Sequence, residues 1–346
     1  MPGAGSARIA LVTAHQVTGN QVTANQEAGA STSGFLGFRR VAPIMAGDEL
    51  QFVEWLRSRQ PSHPSVILGI GDDMAILRTT GDRILVSSDM LLDGVHFDTG
   101  RHSLHAIGRK AIACSLSDCA AMAVRPLAAT VSVALPENLP LARAEELQAG
   151  MFSMAEEFEL AIAGGDTNRW THPLAIDVAV TATPYPGIEP IRRCGAKPGD
   201  ELYITGPLGG SLLGHHLAFQ PRVREAEGLS GRLGQRLHAM IDITDGLSLD
   251  LWRLCVESKV GAQLDEPQLR GVISEDAKQA AASSGRTPLD HALTDGEDFE
   301  LLMAVDGEVT GTDIPIFRIG RITASRLTIA RDGGKVESLE PRGYVH

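Results

Sequence analysis

Long apolar runs are missing from this chain. No stretch of its 346 residues approaches the ~18 that a membrane-spanning helix needs, and the apolar cluster at 9–12 is too short for a secretory core. A membrane partner is therefore not expected. Positive charge is in deficit: 31 Lys and Arg against 43 Asp and Glu leave a net charge of −12. The basic surface of a nucleic-acid binder is absent, and nine Phe, three Tyr and three Trp are too few for base-stacking platforms. Only four cysteines occur, Cys114, Cys119, Cys194 and Cys255, without a CxxC pair or a His at zinc-finger spacing. They read as reduced thiols of a cytoplasmic protein. The GxxxxGK[ST], HExxH and kinase glycine-loop signatures are likewise lacking.

What is present is an ordinary globular composition, 43% hydrophobic and 21% charged, with 37 glycines, above the usual ~7%. At roughly 150 residues per domain the length accommodates two. Residues 1–44 show neither helical nor strand periodicity and read as a poorly ordered extension, with Met45 as an alternative start. Asp48 caps an apolar helical face over 48–59, which Pro61 and Pro64 end. A helix is predicted over 103–123, its inner face running Leu104, Ile107, Ala111, Cys114, Asp118 and Met122. Residues 128–135 and 174–183 read as strands, and Pro184, Pro186 and Pro190 mark a boundary. Domains are thus expected over 45–185 and 186–346. In the second, 201–205, 300–305, 315–321 and 326–330 read as strands and 247–258 and 275–284 as helices. The mixed order indicates an α/β or α+β fold.

Aspartates recur where apolar runs stop: Asp72 and Asp73 after 65–68, Asp89 after 84–86, Asp166 after 160–163, and Asp242 and Asp245 after 240–241. Asp118 interrupts an apolar helical face. Any one of them reads as a cap or turn residue. Seven in such contexts suggest carboxylates lining one rim of a sheet, where α/β proteins bind ligands. Gathered carboxylates repel one another unless cations are present. All-oxygen ligands favour magnesium, manganese or calcium, and magnesium commonly bridges carboxylates to substrate phosphates. Phosphoryl transfer is the chemistry that fits. Arg109 or Lys110 is an alternative partner for Asp118. The glycines at 164–165 and at 206, 209 and 210 suit backbone approach to an anion, and Arg193 suits a phosphate. His96 is a candidate base, ligand or substrate contact. The acidic run 294–300 reads equally as a solvated turn.

The order of these motifs resembles the thiamine-monophosphate kinases, in the superfamily that includes aminoimidazole-ribonucleotide synthetase. GIGDD at 69–73, SSDMLLDGVHF at 87–97, SLSDCAAMAVRP at 115–126, GGDT at 164–167, RRCGAKPGDELYITG at 192–206, IDITDGL at 241–247 and DGEDFEL at 295–301 carry the resemblance. It implies a homodimer of two-domain subunits, the N-terminal domains joined in a β-barrel-like sheet. It also implies ATP and thiamine monophosphate as substrates, with several magnesium ions. By similarity Asp73, Ser87, Ser88, Asp89, Asp118, Asp166, Asp242 and Asp245 hold metal, with Asp118, Asp166 and Asp245 central to catalysis. Gly165, Asp166, Arg193 and Thr244 contact ATP, while His96, Glu297 and Tyr344 contact thiamine phosphate. Ser88 and Thr244 stand where the family usually has Thr and Ser, keeping a hydroxyl at each place. Asp295 replaces a usual glycine, and the tail keeps Tyr344 without the family's closing Phe. The alternatives are another ATP-using enzyme of the superfamily, or a non-catalytic nucleotide- or metal-binding relative.

Overall fold

The computed structural model describes residues 8–12, 55–56, 58–59, 61–68, 74–79 and 83–344. In chain order the first half contains β1 (Arg8–Val12), β2 (Val66–Leu68), β3 (Met74–Arg78), β4 (Leu85–Leu92), α1 (Leu104–Ala121), β5 (Val124–Pro136), α2 (Leu141–Glu157), β6 (Ala161–Trp170) and β7 (Ala175–Pro184). The second half runs β8 (Glu201–Ile204), α3 (His215–Ala218), α4 (Val223–Leu233), β9 (Leu237–Asp242), α5 (Leu247–Ser258), β10 (Gly261–Asp265), α6 (Glu266–Arg270), α7 (Glu275–Ser284) and α8 (Pro288–Thr294). It closes with β11 (Leu301–Val305), β12 (Phe317–Thr323), β13 (Leu327–Ala330) and β14 (Val336–Ser338). Of the helix expected over 48–59, Trp55, Leu56, Ser58 and Arg59 are described and helical. Within the segment read as an extension, β1 pairs antiparallel with β3. Its apolar run at 9–12 carries no period of two, so periodicity did not disclose it.

Three sheets form, ordered β1-β3-β2, β4-β7-β5-β6 and β14-β13-β10-β12-β8-β11-β9. In the four-stranded sheet β5 and β6 run parallel, joined through α2 as such a pair requires, while β4/β7 and β5/β7 are antiparallel. Burial along β4 alternates, with Val86 and Met90 exposed and Leu91 buried. One face of this sheet is thus packed and the other open.

The strand β11 is buried throughout, and its side chains divide between two cores. Leu302 and Ala304 join the apolar cluster containing Leu251, Leu254 and Leu269. Leu301, Met303 and Val305 join the cluster that holds Ile107, Leu116, Val178 and Leu229. That second cluster runs without a break from the four-stranded sheet through α1 to the inner face of the seven-stranded sheet. Helix α1 is therefore a layer shared by both halves. This explains why 13 of its 18 residues are buried, where a surface helix would bury a single stripe.

Ser103 caps α1 by accepting the Ala106 N–H at 3.2 Å. The helix then crosses α2 at backbone contact: a Cβ on Gly108 would collide with the Leu147 carbonyl, and one on Gly150 with the His105 carbonyl. Glycine is demanded here by proximity rather than by conformation. Replacing Gly108 by Val forces the two helices apart and is expected to lower stability by roughly 1–3 kcal/mol. Urea denaturation checks this; an unchanged midpoint would contradict the reading of the crossing.

Candidate active site

Three carboxylates reach one another through α1. The Asp118 carboxylate accepts a hydrogen bond from the Ser87 hydroxyl of β4. One turn earlier, Ser115 donates to Asp89 at 2.8 Å. Ser117, directly before Asp118, donates to Asp242 at 2.6 Å. The hydroxyls of the SLSD motif thus tie the last residue of β9 and the middle of β4 to the same helix. Sequence reading found the aspartates but not the role of Ser115 and Ser117.

The electrostatics carry the signature of this convergence. Burial, with Asp118 next and then Asp177 adding repulsion, pushes the Asp89 carboxyl up to about 6, against the lowering effect of Ser115. Burial and again Asp118 push Asp242 up to about 7, opposed by Ser117 and by the guanidinium of Arg193. Asp177, on β7, was not among the expected residues; Ser88 donates to it at 2.9 Å. Neither basic neighbour considered for Asp118 serves it: Arg109 lies 3.8 Å from Glu157, and Lys110 pairs with Glu297 at 2.6 Å. Asp118 itself is half-buried rather than sealed, and opens on a cavity of about 510 Å³. Met122, Val124, Val180 and Met240 give that cavity apolar walls, and Arg192 and Arg193 give it positive charge.

A second group of expected residues meets α1 about two turns before Asp118, at Lys110. The buried Lys110 ammonium donates to the His96 carbonyl and to Glu297 Oε1, each at 2.6 Å. The Glu297 N–H donates to the Thr244 carbonyl at 2.7 Å, and the Tyr344 N–H to the Asp245 carbonyl at 2.9 Å. Asp250 accepts the N–H groups of Thr244, Asp245 and Gly246 at 3.0, 2.9 and 3.1 Å. Arg253 reaches Asp245 at 2.5 Å and Asp250 at 2.7 Å. Glu297 adopts φ +62° and Phe299 φ +53°, conformations that non-glycine residues hold only under constraint. Packing supplies it: the Phe299 ring stacks on Phe219 with centroids 3.9 Å apart.

Other expectations fall elsewhere. The aspartates do not line a rim: β4 continues through Ser87, Ser88 and Asp89, and β6 through Gly165 and Asp166. The apolar runs were only the first halves of two-faced strands, and of the expected aspartates among the described residues only Asp242 ends one. Strand register puts Ser88 opposite Ala179, and Asp166 opposite Ser132, itself opposite Asp177. Ser88 and Asp166 therefore share the open face, opposite to Ser87 and Asp89. Gly165 meets Val131 so closely that a Cβ would collide with the Val131 carbonyl, so the β5–β6 pairing itself requires glycine. The Gly209 and Gly210 amides are held by Asp298 at 2.8 Å and Asp295 at 2.9 Å, which leaves them no anion to cradle. Asp295 also meets Arg286 at 2.9 Å and His291 at 2.8 Å. Asp72 and Asp73 lie outside the described residues. Among the described residues no three His, Cys, Asp or Glu side chains enclose a cation by themselves.

The family model for the N-terminal domain of AIR synthase related proteins matches residues 71–184. The chain is 41% identical over 313 residues to the thiamine-monophosphate kinase of Rhodopirellula baltica, covering 86% of this chain and 97% of that one. It is similar to the crystal structure of the Stenotrophomonas maltophilia thiamine-monophosphate kinase, with a TM-score of 0.68 and 27% identity over 83% of this chain and 96% of that one. The AaThiL complex with AMPPCP and TMP has the same fold, at a TM-score of 0.66 and 23% identity over 88% of this chain and 99% of that one. At the identity and coverage of the first relative, the chain belongs to the thiamine-monophosphate kinase family.

Proposed function

We propose that the cleft along α1 transfers the γ-phosphoryl group of ATP to the phosphate of thiamine monophosphate, giving thiamine diphosphate and ADP. The observation that carries this reading is the set of Asp89, Asp118 and Asp242, drawn from three elements, with Asp89 and Asp242 each raised by burial and then by the charge of Asp118. Their donor chemistry suits magnesium, which takes one or two carboxylates and completes its shell with water and phosphate oxygens. An all-protein cage is not needed. Bound there, magnesium ions would neutralise the charge of two polyanionic substrates and of the group passing between them. Asp89, Asp118 and Asp242 would hold these ions, with Ser87 beside them.

The chain's own groups do the rest. Arg193, beside Asp242 and on the cavity wall, would bind the ATP phosphates, and the apolar walls would take its base. His96 and Glu297, joined through Lys110, would orient the acceptor, with Thr244 and Tyr344 flanking them. The acceptor phosphate has a second pKa near ~6, so it reaches the site already a nucleophile. No general base is required, and catalysis rests on position and electrostatics.

The open face of the four-stranded sheet supports a homodimer. Val86 and Met90 on β4, 71% and 61% exposed, share that face with Trp170 on β6. A second copy laid across it would bury apolar area and enclose Ser88 and Asp166. No described helix is long and apolar enough to cross a membrane, and the four free cysteines suit the reducing cytoplasm in which ATP is made.

With ATP, magnesium and thiamine monophosphate, purified protein is expected to form thiamine diphosphate, and Asp118→Asn to lose about 100-fold or more in turnover while its circular dichroism shows the fold retained. A near-normal rate in that variant removes Asp118 from the site, and ATP binding without product supports a non-catalytic relative. Asp89 and Asp242 keep protons that the unfolded chain releases near 3.8. The native state therefore binds more protons, and the stability of cation-free protein falls as pH rises from about 4 to about 7. Calorimetry should show this fall, its reduction in Asp242→Asn, and its reversal by magnesium. Met90→Asp is expected to convert dimer to monomer in light scattering; a wild-type monomer contradicts the proposed pairing.

A further inference from the structure

Lys110 stands apart among the described Lys and Arg residues. Its side chain is fully buried, while its partner Glu297 remains 19% exposed. Burying an ammonium is costly unless it is paired and hydrogen-bonded, and here one nitrogen meets two partners from opposite halves of the molecule. The His96 carbonyl belongs to the segment after β4, and the Glu297 carboxylate to the loop before β11, each 2.6 Å away. The arrangement is asymmetric. The cation cannot reach a ligand, but the carboxylate it grips can.

Both partners are further constrained. His96 Nδ1 accepts the Leu92 N–H at 3.0 Å, which leaves the ring proton of the neutral imidazole on Nε2. Glu297 sits at φ +62°, with its N–H held by the Thr244 carbonyl at 2.7 Å. Backbone held in that region is unfavourable unless the surroundings over-determine it, and the Lys110 contact fixes the side-chain end of the same residue. Among the described residues Lys110 is the Lys or Arg within salt-bridge distance of Glu297. The Lys110–Glu297 pair is a charged tie between α1 and the loop before β11.

We infer that Lys110 is a positioning residue for the phosphoryl acceptor: it sets the Glu297 carboxylate and the His96 segment in mutual register so that a cationic heteroaromatic phosphate is held between them. This rests on the reading of His96 and Glu297 as contacts to thiamine monophosphate. Lys110 touches neither substrate. It acts through Glu297, and its effect belongs to acceptor binding rather than to nucleotide binding.

Steady-state kinetics on the full chain with Lys110→Met, Glu297→Gln and the double variant test this. Lys110→Met should raise KM for thiamine monophosphate about tenfold, the equivalent of one charged hydrogen bond, and move KM for ATP by less than about twofold. The double variant should fall well short of the product of the two single effects, because the second substitution removes a group already misplaced. If Glu297→Gln raises the acceptor KM and Lys110→Met leaves it unchanged, the role of Lys110 is overturned while that of Glu297 stands. An unchanged acceptor KM in Glu297→Gln overturns the underlying reading and the inference together. Full multiplication in the double variant, or equal rises in KM for both substrates, shows a merely structural lysine and also overturns it. Should Lys110→Met fail to fold, the double variant, with no unpaired charge, is compared with Glu297→Gln alone; an acceptor KM more than about tenfold above that single variant overturns the inference.

Discussion

Carboxylates that gather around one helix and repel one another are the constraint on which the rest of this molecule depends. Asp89 and Asp242 come from different sheets, and each is raised by burial and by Asp118. A fold that keeps such groups together works against its own electrostatics, because every one would be better solvated apart. The cost is offset by hydroxyls aimed at the carboxylates and by a shared apolar core that leaves α1 no other place to lie. What the arrangement retains is demand for positive charge, which magnesium, on the proposed function, would satisfy.

The same helix spaces the chemistry. Lys110 and Asp118 are eight residues apart on α1, about 12 Å along the axis at 1.5 Å per residue. Glu297 and His96 meet the first, and the carboxylates of Asp89 and Asp242 are gathered near the second. A rigid rod thus sets the interval between the end that would hold the acceptor and the end that would hold the transferred phosphate. Its rigidity comes from the close crossing at Gly108 and Gly150 and from burial on nearly every side. Binding groups fixed on such an element reach the geometry that positional catalysis needs.

Much of this was legible in the sequence. The helix over 103–123 follows from its apolar spacing, and the helices read over 247–258 and 275–284 are α5 and α7, with boundaries that match to within two residues. The aspartates could be singled out because each interrupts an apolar context. Sequence could not show on which face of a strand each one falls. Asp166 and Asp89 read alike as carboxylates after an apolar run, yet register puts them on opposite sides of one sheet. That outcome turns on pairing across four strands, which no local pattern encodes. Asp177 escaped notice because it sits inside an alternating strand, where one polar position in two is unremarkable. Lys110 was matched to the wrong carboxylate for a related reason: Asp118 lies on the same helix, and only the second half of the chain supplies the Glu297 that explains its burial.

The central claim is that Asp89, Asp118 and Asp242 form a centre that trades protons for divalent cations. Calorimetric titration of magnesium into the protein at pH 6.5, in two buffers of different ionisation enthalpy, measures that exchange directly. The account predicts buffer-dependent heats that report protons leaving the protein, diminished in Asp242→Asn and with affinity weakened in Asp118→Asn. Heats independent of buffer, together with an affinity unmoved by Asp118→Asn, would contradict it.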